Sequence, residues 1–132
     1  MYDLQDIRGY DSIIPRQYTD YMGAIELAGL VFNRIQPIGH PASLESPLLD
    51  VLGVRYILST EELNLPKLEL AWEGEGVRIY ENLAVAPRAY VLPQSATVVA
   101  PNLLEAMQTA DPRQYVVVAT DEAADLSITD PP

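Results

Sequence analysis

The sequence predicts an α+β domain. Its mixed β-sheet of about five strands contains a hairpin over 68–73 and 77–81, and is packed by an N-terminal helix over 16–33 and two short helices over 47–52 and 101–108. Three observations predict this. The chain has 132 residues, 48% of them hydrophobic and 20% charged, the balance of one folded domain. Apolar residues recur every three or four positions between Tyr18 and Ile35. Strict alternation in Leu68, Leu70 and Trp72 is followed by Gly74-Glu75-Gly76, a turn sequence.

Residues 1–15 read as a lead-in loop ending at Pro15, which a first helical turn tolerates. Tyr18, Tyr21, Ile25, Ala28, Phe32 and Ile35 then mark one apolar helix face. Gly23 and Gly29 each weaken such a helix by up to ~1 kcal/mol relative to alanine, so close packing is expected against them. Pro37, Gly39 and Pro41 make a loop. Ser46, Pro47 and Gly53 supply an N-cap, a first-turn proline and a C-terminal glycine around Leu48–Leu52. The β-branched and aromatic run Val54–Leu58 predicts a strand, and Arg88–Leu92 predicts another. Val98 and Val99 either extend that strand or begin a new one. Pro101 opens a short amphipathic helix. Tyr115–Val118, apolar throughout, reads as a central strand covered on both faces. Beyond Thr120 the chain turns acidic and ends Pro131-Pro132, so residues 121–132 are expected to be a tail.

Nineteen acidic residues against eight basic ones give a net charge of -11, which repels phosphate backbones and anionic head groups. Nucleic acid is therefore not an expected partner. With no cysteine and a single histidine, His40, the chain lacks the three or four ligands that zinc takes, and no cofactor is implied. No apolar stretch approaches the ~20 residues that cross a bilayer, and the opening MYDLQDIRGYD is acidic, unlike a signal peptide. Direct membrane insertion by this segment is not expected.

Few residues offer chemistry. Asp3, Asp6 and Asp11 surround Arg8, and two of these carboxyls could form an acid–base pair for glycosidic hydrolysis; a salt-bridged loop is the simpler reading. Gly74-Glu75-Gly76 lacks the lysine and third glycine of a phosphate loop. His40 reads as a loop histidine. The eight tyrosines suit half-wet positions, with Tyr2 and Tyr10 the freest and the others placed in helix or sheet packing.

Taken in order, several segments resemble the extracytoplasmic C-terminal region of bacterial YfhO-type multi-spanning membrane proteins. These are Asp6-Ile-Arg-Gly-Tyr-Asp11 with the following Ile-Pro-Arg-Gln-Tyr, then Ser46-Pro-Leu-Leu-Asp-Val-Leu-Gly-Val-Arg-Tyr-Ile57, Val77-Arg-Ile-Tyr-Glu-Asn82, Ala86-Pro-Arg-Ala-Tyr-Val91 and Asp111-Pro-Arg-Gln-Tyr-Val-Val-Val118. The resemblance implies a glycosyltransferase using a lipid-linked sugar, whose reacting groups lie in a membrane part ahead of Met1. On that expectation this chain is a non-catalytic domain at the extracytoplasmic face, soluble when isolated. Its partners are the membrane-embedded remainder of its own protein and a glycan or lipid-linked sugar. Two alternatives stand beside it: a carbohydrate or cell-wall-polymer binding module, and a stand-alone hydrolase using Asp6 and Asp11. The expected binding residues are Asp6, Arg8, Tyr10, Asp11, Asn82 and Arg88, with no catalytic residue and no metal ligand.

Overall fold

A computed structural model describes residues 5–7, 15–26 and 37–125. It has the expected α+β composition, with three antiparallel and two parallel strands. Helix α1 (Arg16–Ile25) leads through a 3-10 turn (Pro41–Glu45) to α2 (Pro47–Val51) and strand β1 (Tyr56–Ser59). Strands β2 (Leu68–Gly74) and β3 (Val77–Asn82) form the hairpin. After them come β4 (Thr97–Ala100), α3 (Leu103–Thr109), β5 (Val116–Ala119) and α4 (Thr120–Asp125). The first three strands form one sheet in the order β1-β3-β2, and β4 pairs in parallel with β5 in a second.

The helix and turn signals operate as their chemistry requires. The Ser46 hydroxyl accepts from Leu48 N–H at 3.3 Å, with Pro47 in the first turn. Gly53, at φ +72°, closes α2: its N–H donates to Asp50 C=O and Val54 N–H to Leu49 C=O, both at 3.1 Å. This paired closure needs a left-handed residue, which glycine adopts without strain. At the hairpin tip Glu75 and Gly76 lie at φ +51° and +77°, the two-residue turn whose twist matches the flanking strands.

Several expectations are corrected. Helix α1 stops at Ile25 because Glu26 turns to extended backbone, φ -87° and ψ 100°, although the apolar period continues to Ile35. Residues 27–36, with Gly29, lie outside the described residues. Among the described residues nothing beyond its own helix packs against Gly23: a Cβ there would meet no heavy atom of theirs within 4 Å. Gly23→Ala is therefore expected to raise the unfolding free energy by ~0.5–1 kcal/mol, read as a higher urea midpoint at unchanged slope.

Arg88–Leu92 is not a strand. It is bracketed by Pro87 and Pro93, pairs with no strand, and leaves Val91 96% exposed. β-forming side chains without a neighbouring backbone to bond do not make a strand, and the chain bends at Arg88 and Ala89. Val98 and Val99 accordingly belong to the separate strand β4. Strand β5 is not central: among the described strands its one partner is β4, and Val116 is 41% exposed. Thr120–Asp125 is helical, and the rest of the expected tail, 126–132, lies outside the described residues.

Among the described residues Met22, Ile25, Leu44, Leu48 and Leu49 form a buried apolar cluster, so α1, the 3-10 turn and α2 contribute together. Ile57 from β1 packs onto it, and Tyr80 of β3, opposite Ile57 in register, is buried beneath the same face of the sheet.

Candidate functional site

Among the described residues a buried polar cluster lies where α2 meets the sheet. Asp50 sits on α2 among apolar neighbours and is buried. Its Oδ1 accepts from Lys67 Nζ at 2.8 Å and from Asn82 Nδ2 at 2.7 Å. Lys67 Nζ also donates to Ser46 C=O at 3.1 Å, beside the N-terminus of α2. Asn82, the last residue of β3, donates to Val54 C=O at 2.9 Å and accepts from Ala84 N–H at 3.0 Å. The Asp50 carbonyl takes Ala86 N–H at 3.0 Å, so one residue gathers α2, the lead into β2 and the chain leaving β3. No described buried side-chain polar atom lacks a partner. Burial of a carboxylate and an ammonium is tolerable on those terms, because their charges and hydrogen-bonding capacity are matched.

Tyr21 adds a hydroxyl to the same region, donating to Leu48 C=O at 2.8 Å. Burial pushes its pKa up to about 12, and the negative charge of Asp50 adds to the rise. Because the folded value lies above the ordinary 10.0, the resulting stabilisation is complete below pH 10 and disappears as pH climbs towards 12. Ultraviolet titration is expected to show Tyr21 ionising about two pH units late, a phase that Tyr21→Phe removes.

An open groove of about 230 Å³ runs past this cluster, lined by Pro47, Asp50, Ala84, Thr109, Asp111 and Arg113 among others. Arg113 and Asp111 close on each other: Nε reaches Oδ1 at 3.1 Å and a second guanidinium nitrogen reaches Oδ2 at 3.2 Å. The hydrogen bonds from Arg113 hold the Asp111 carboxyl below the ordinary carboxylate value. The groove thus presents one ion pair closed on itself and one carboxylate bonded to Lys67 and Asn82.

The sequence-predicted residues are scattered. Asp6 is exposed, and the adjoining Ile7 carbonyl accepts from the Tyr18 hydroxyl. Arg8, Tyr10 and Asp11 lie outside the described residues, as does the Asp6–Asp11 pairing that a hydrolase would use. Arg88 is exposed at a bend in the loop after β3 and makes no ion pair among the described residues. Asn82 is 1% exposed with its amide bonded inside the protein, which corrects its expected place among ligand-facing residues. His40, in contrast, is the loop histidine anticipated, exposed and capping the 3-10 turn through Nδ1, which accepts from Ala42 N–H at 3.2 Å. Among the described residues no group of three or more His, Asp or Glu side chains is placed to hold a metal ion, and no helix is long and apolar enough to cross a membrane.

Asp50, which accepts from both Asn82 and Lys67, is not among the sequence-predicted residues, and neither is Lys67. The available signal was an aspartate inside the apolar run Leu48-Leu-Asp-Val-Leu52, a position where a carboxylate is buried only with company.

Comparison with protein-family models, curated proteins and solved structures found no match. The functional reading therefore stands on the residues themselves.

Proposed function

We propose that this chain is a non-catalytic extracytoplasmic domain of a YfhO-type membrane protein, which shapes or presents the acceptor for sugar transfer carried out by the membrane-embedded part. The observation that supports the non-catalytic reading is the use made of the two motifs behind the resemblance. Asp50 of Ser46–Ile57 and Asn82 of Val77–Asn82, polar residues that chemistry could have used, are bonded to each other inside the fold. They build the domain instead of facing a substrate.

The experiment compares three membrane preparations: the full-length parent, the parent lacking this domain, and the excised domain alone, each assayed for transfer from a lipid-linked donor. The expected result is transfer by the parent, impaired use of acceptor by the truncated parent, and none by the domain. Full activity of the truncated parent, or any transfer by the domain alone, contradicts the proposal.

A further inference from the structure

The sheet β1-β3-β2 has two unlike faces. Ile57, Tyr80 and Asn82 face inward, whereas the outward face carries a row of apolar side chains in direct cross-strand register, Leu58 beside Ile79 and Ile79 beside Trp72. Leu58 is 69% exposed and Trp72 50%. The next row, ~7 Å along the strands, is Tyr56, Glu81 and Glu69.

Trp72 reaches this face through two local devices. An irregularity between Leu70 and Trp72 inserts Ala71 as an extra residue, so that Trp72 stands opposite Ile79 and leaves the face shared by Leu70 and Tyr80. The indole then lies against Gly74, where a Cβ would come within 2.6 Å of the ring. Only glycine leaves room for that seat. The largest side chain of the protein is thus seated on a solvent-facing surface against its own strand, where an aromatic anchor can add most to an interface.

The charges in the adjacent row do not balance. Glu69 and Glu81 stand directly opposite one another, an unfavourable like-charge pair. Arg55 serves Glu81 alone, with Nε and a terminal nitrogen both 3.1 Å from Oε1, while its guanidinium lies 5.4 Å from the centre of the Tyr56 ring. Glu69 is exposed and has no cation beside it among the described residues. The face therefore has an apolar row, a half-exposed aromatic anchor and a place for one more positive charge.

We propose that this face docks a protein segment that lays apolar side chains along Leu58, Ile79 and Trp72 and sets a lysine or arginine against Glu69. Charge complementarity selects that occupant. A second copy of the chain brings the same carboxylates and a net charge of -11, and anionic lipid or nucleic acid meets the same repulsion. The argument rests on the sheet alone and is independent of the glycosyltransferase reading.

Trp72 is the only tryptophan, so its fluorescence reports this surface directly. The test titrates the whole chain with a short alternating leucine–lysine peptide and, separately, with its leucine–glutamate counterpart. The expected result is a saturable blue shift with the first peptide alone. Leu58→Asn, on an edge strand and largely exposed, weakens binding ~10-fold, and Glu69→Gln weakens it ~3-fold, as the loss of an apolar contact and of one rim charge do. Glu122→Gln, an exposed carboxylate on α4, leaves binding unchanged. The proposal is overturned by an absent shift, an equal response to the leucine–glutamate peptide, or equal weakening by Glu122→Gln and Glu69→Gln. A Trp72 shift produced by concentration-dependent self-association without peptide also overturns it, by making a second copy the occupant.

Discussion

Asp50→Ala is expected to lower the unfolding free energy by ~3–5 kcal/mol, a large part of the ~5–15 kcal/mol that holds a domain together. The substitution leaves the Lys67 ammonium, with only 15% of its side chain exposed, facing Asn82 without a carboxylate between them. Removing one member of a buried pair is costly because the other remains desolvated. Asp50→Asn separates the contributions: it keeps an acceptor for the Asn82 amide and withdraws the charge, so an intermediate loss of ~1–3 kcal/mol is expected. Both losses should change little with added salt, since buried charges are weakly screened. Urea unfolding of the three proteins at low and high salt checks this. An Asp50→Ala midpoint within error of the parent's would show that the network contributes nothing.

Leu48→Ala is the second large effect, with ~3–5 kcal/mol lost because the side chain is fully buried and its removal leaves a cavity. Leu48 shares a buried cluster with Met22 and Ile25 of α1, and sits in a helix of five residues that cannot persist on its own propensity. Its carbonyl also takes the Tyr21 hydroxyl, so a shift of α2 after truncation disturbs that bond as well. Leu58→Ala is the contrasting case. At 69% exposure the same chemical change should alter stability by less than ~0.5 kcal/mol. Thermal unfolding of the two variants side by side separates core from surface, and equal losses would contradict the inward and outward faces assigned to these leucines.

Features written into neighbouring residues were legible. Ser46, Pro47 and Gly53 announce a capped helix because each supplies a group that the helix end lacks, and Gly74-Glu75-Gly76 announces a turn through its tolerance of positive φ. Features that depend on distant partners were not. Asp50 and Asn82 are 32 residues apart, and they meet only because the register of β3 brings its last residue over α2. Perfect alternation in Leu68, Leu70 and Trp72 places all three on one face, but one extra residue in the ladder moves Trp72 to the other. Arg88–Leu92 has strand-forming side chains and no strand beside it, a fact about the neighbourhood that no local pattern carries.

The end of α1 belongs to the same class. Apolar spacing runs on past Ile25, yet the chain turns where the Glu26 carboxylate, buried, accepts Gly39 N–H at 2.8 Å and the Ser43 hydroxyl at 3.4 Å. A contact with the loop that follows overrides periodicity. The same physics limited the site: residues chosen for exposed, ligand-facing chemistry included Asn82, whose value to the protein lies in being buried and fully bonded.

The central claim is that the polar residues of two separated motifs form one buried structural unit. A double-mutant cycle between Asp50→Ala and Asn82→Ala tests it most directly, with all four proteins unfolded in urea at one fixed concentration of trimethylamine N-oxide so that the weakest retains a folded baseline. The account predicts a coupling of ~1–3 kcal/mol, because either substitution alone already breaks the bond that both share. Additive losses, with coupling within error of zero, would contradict it.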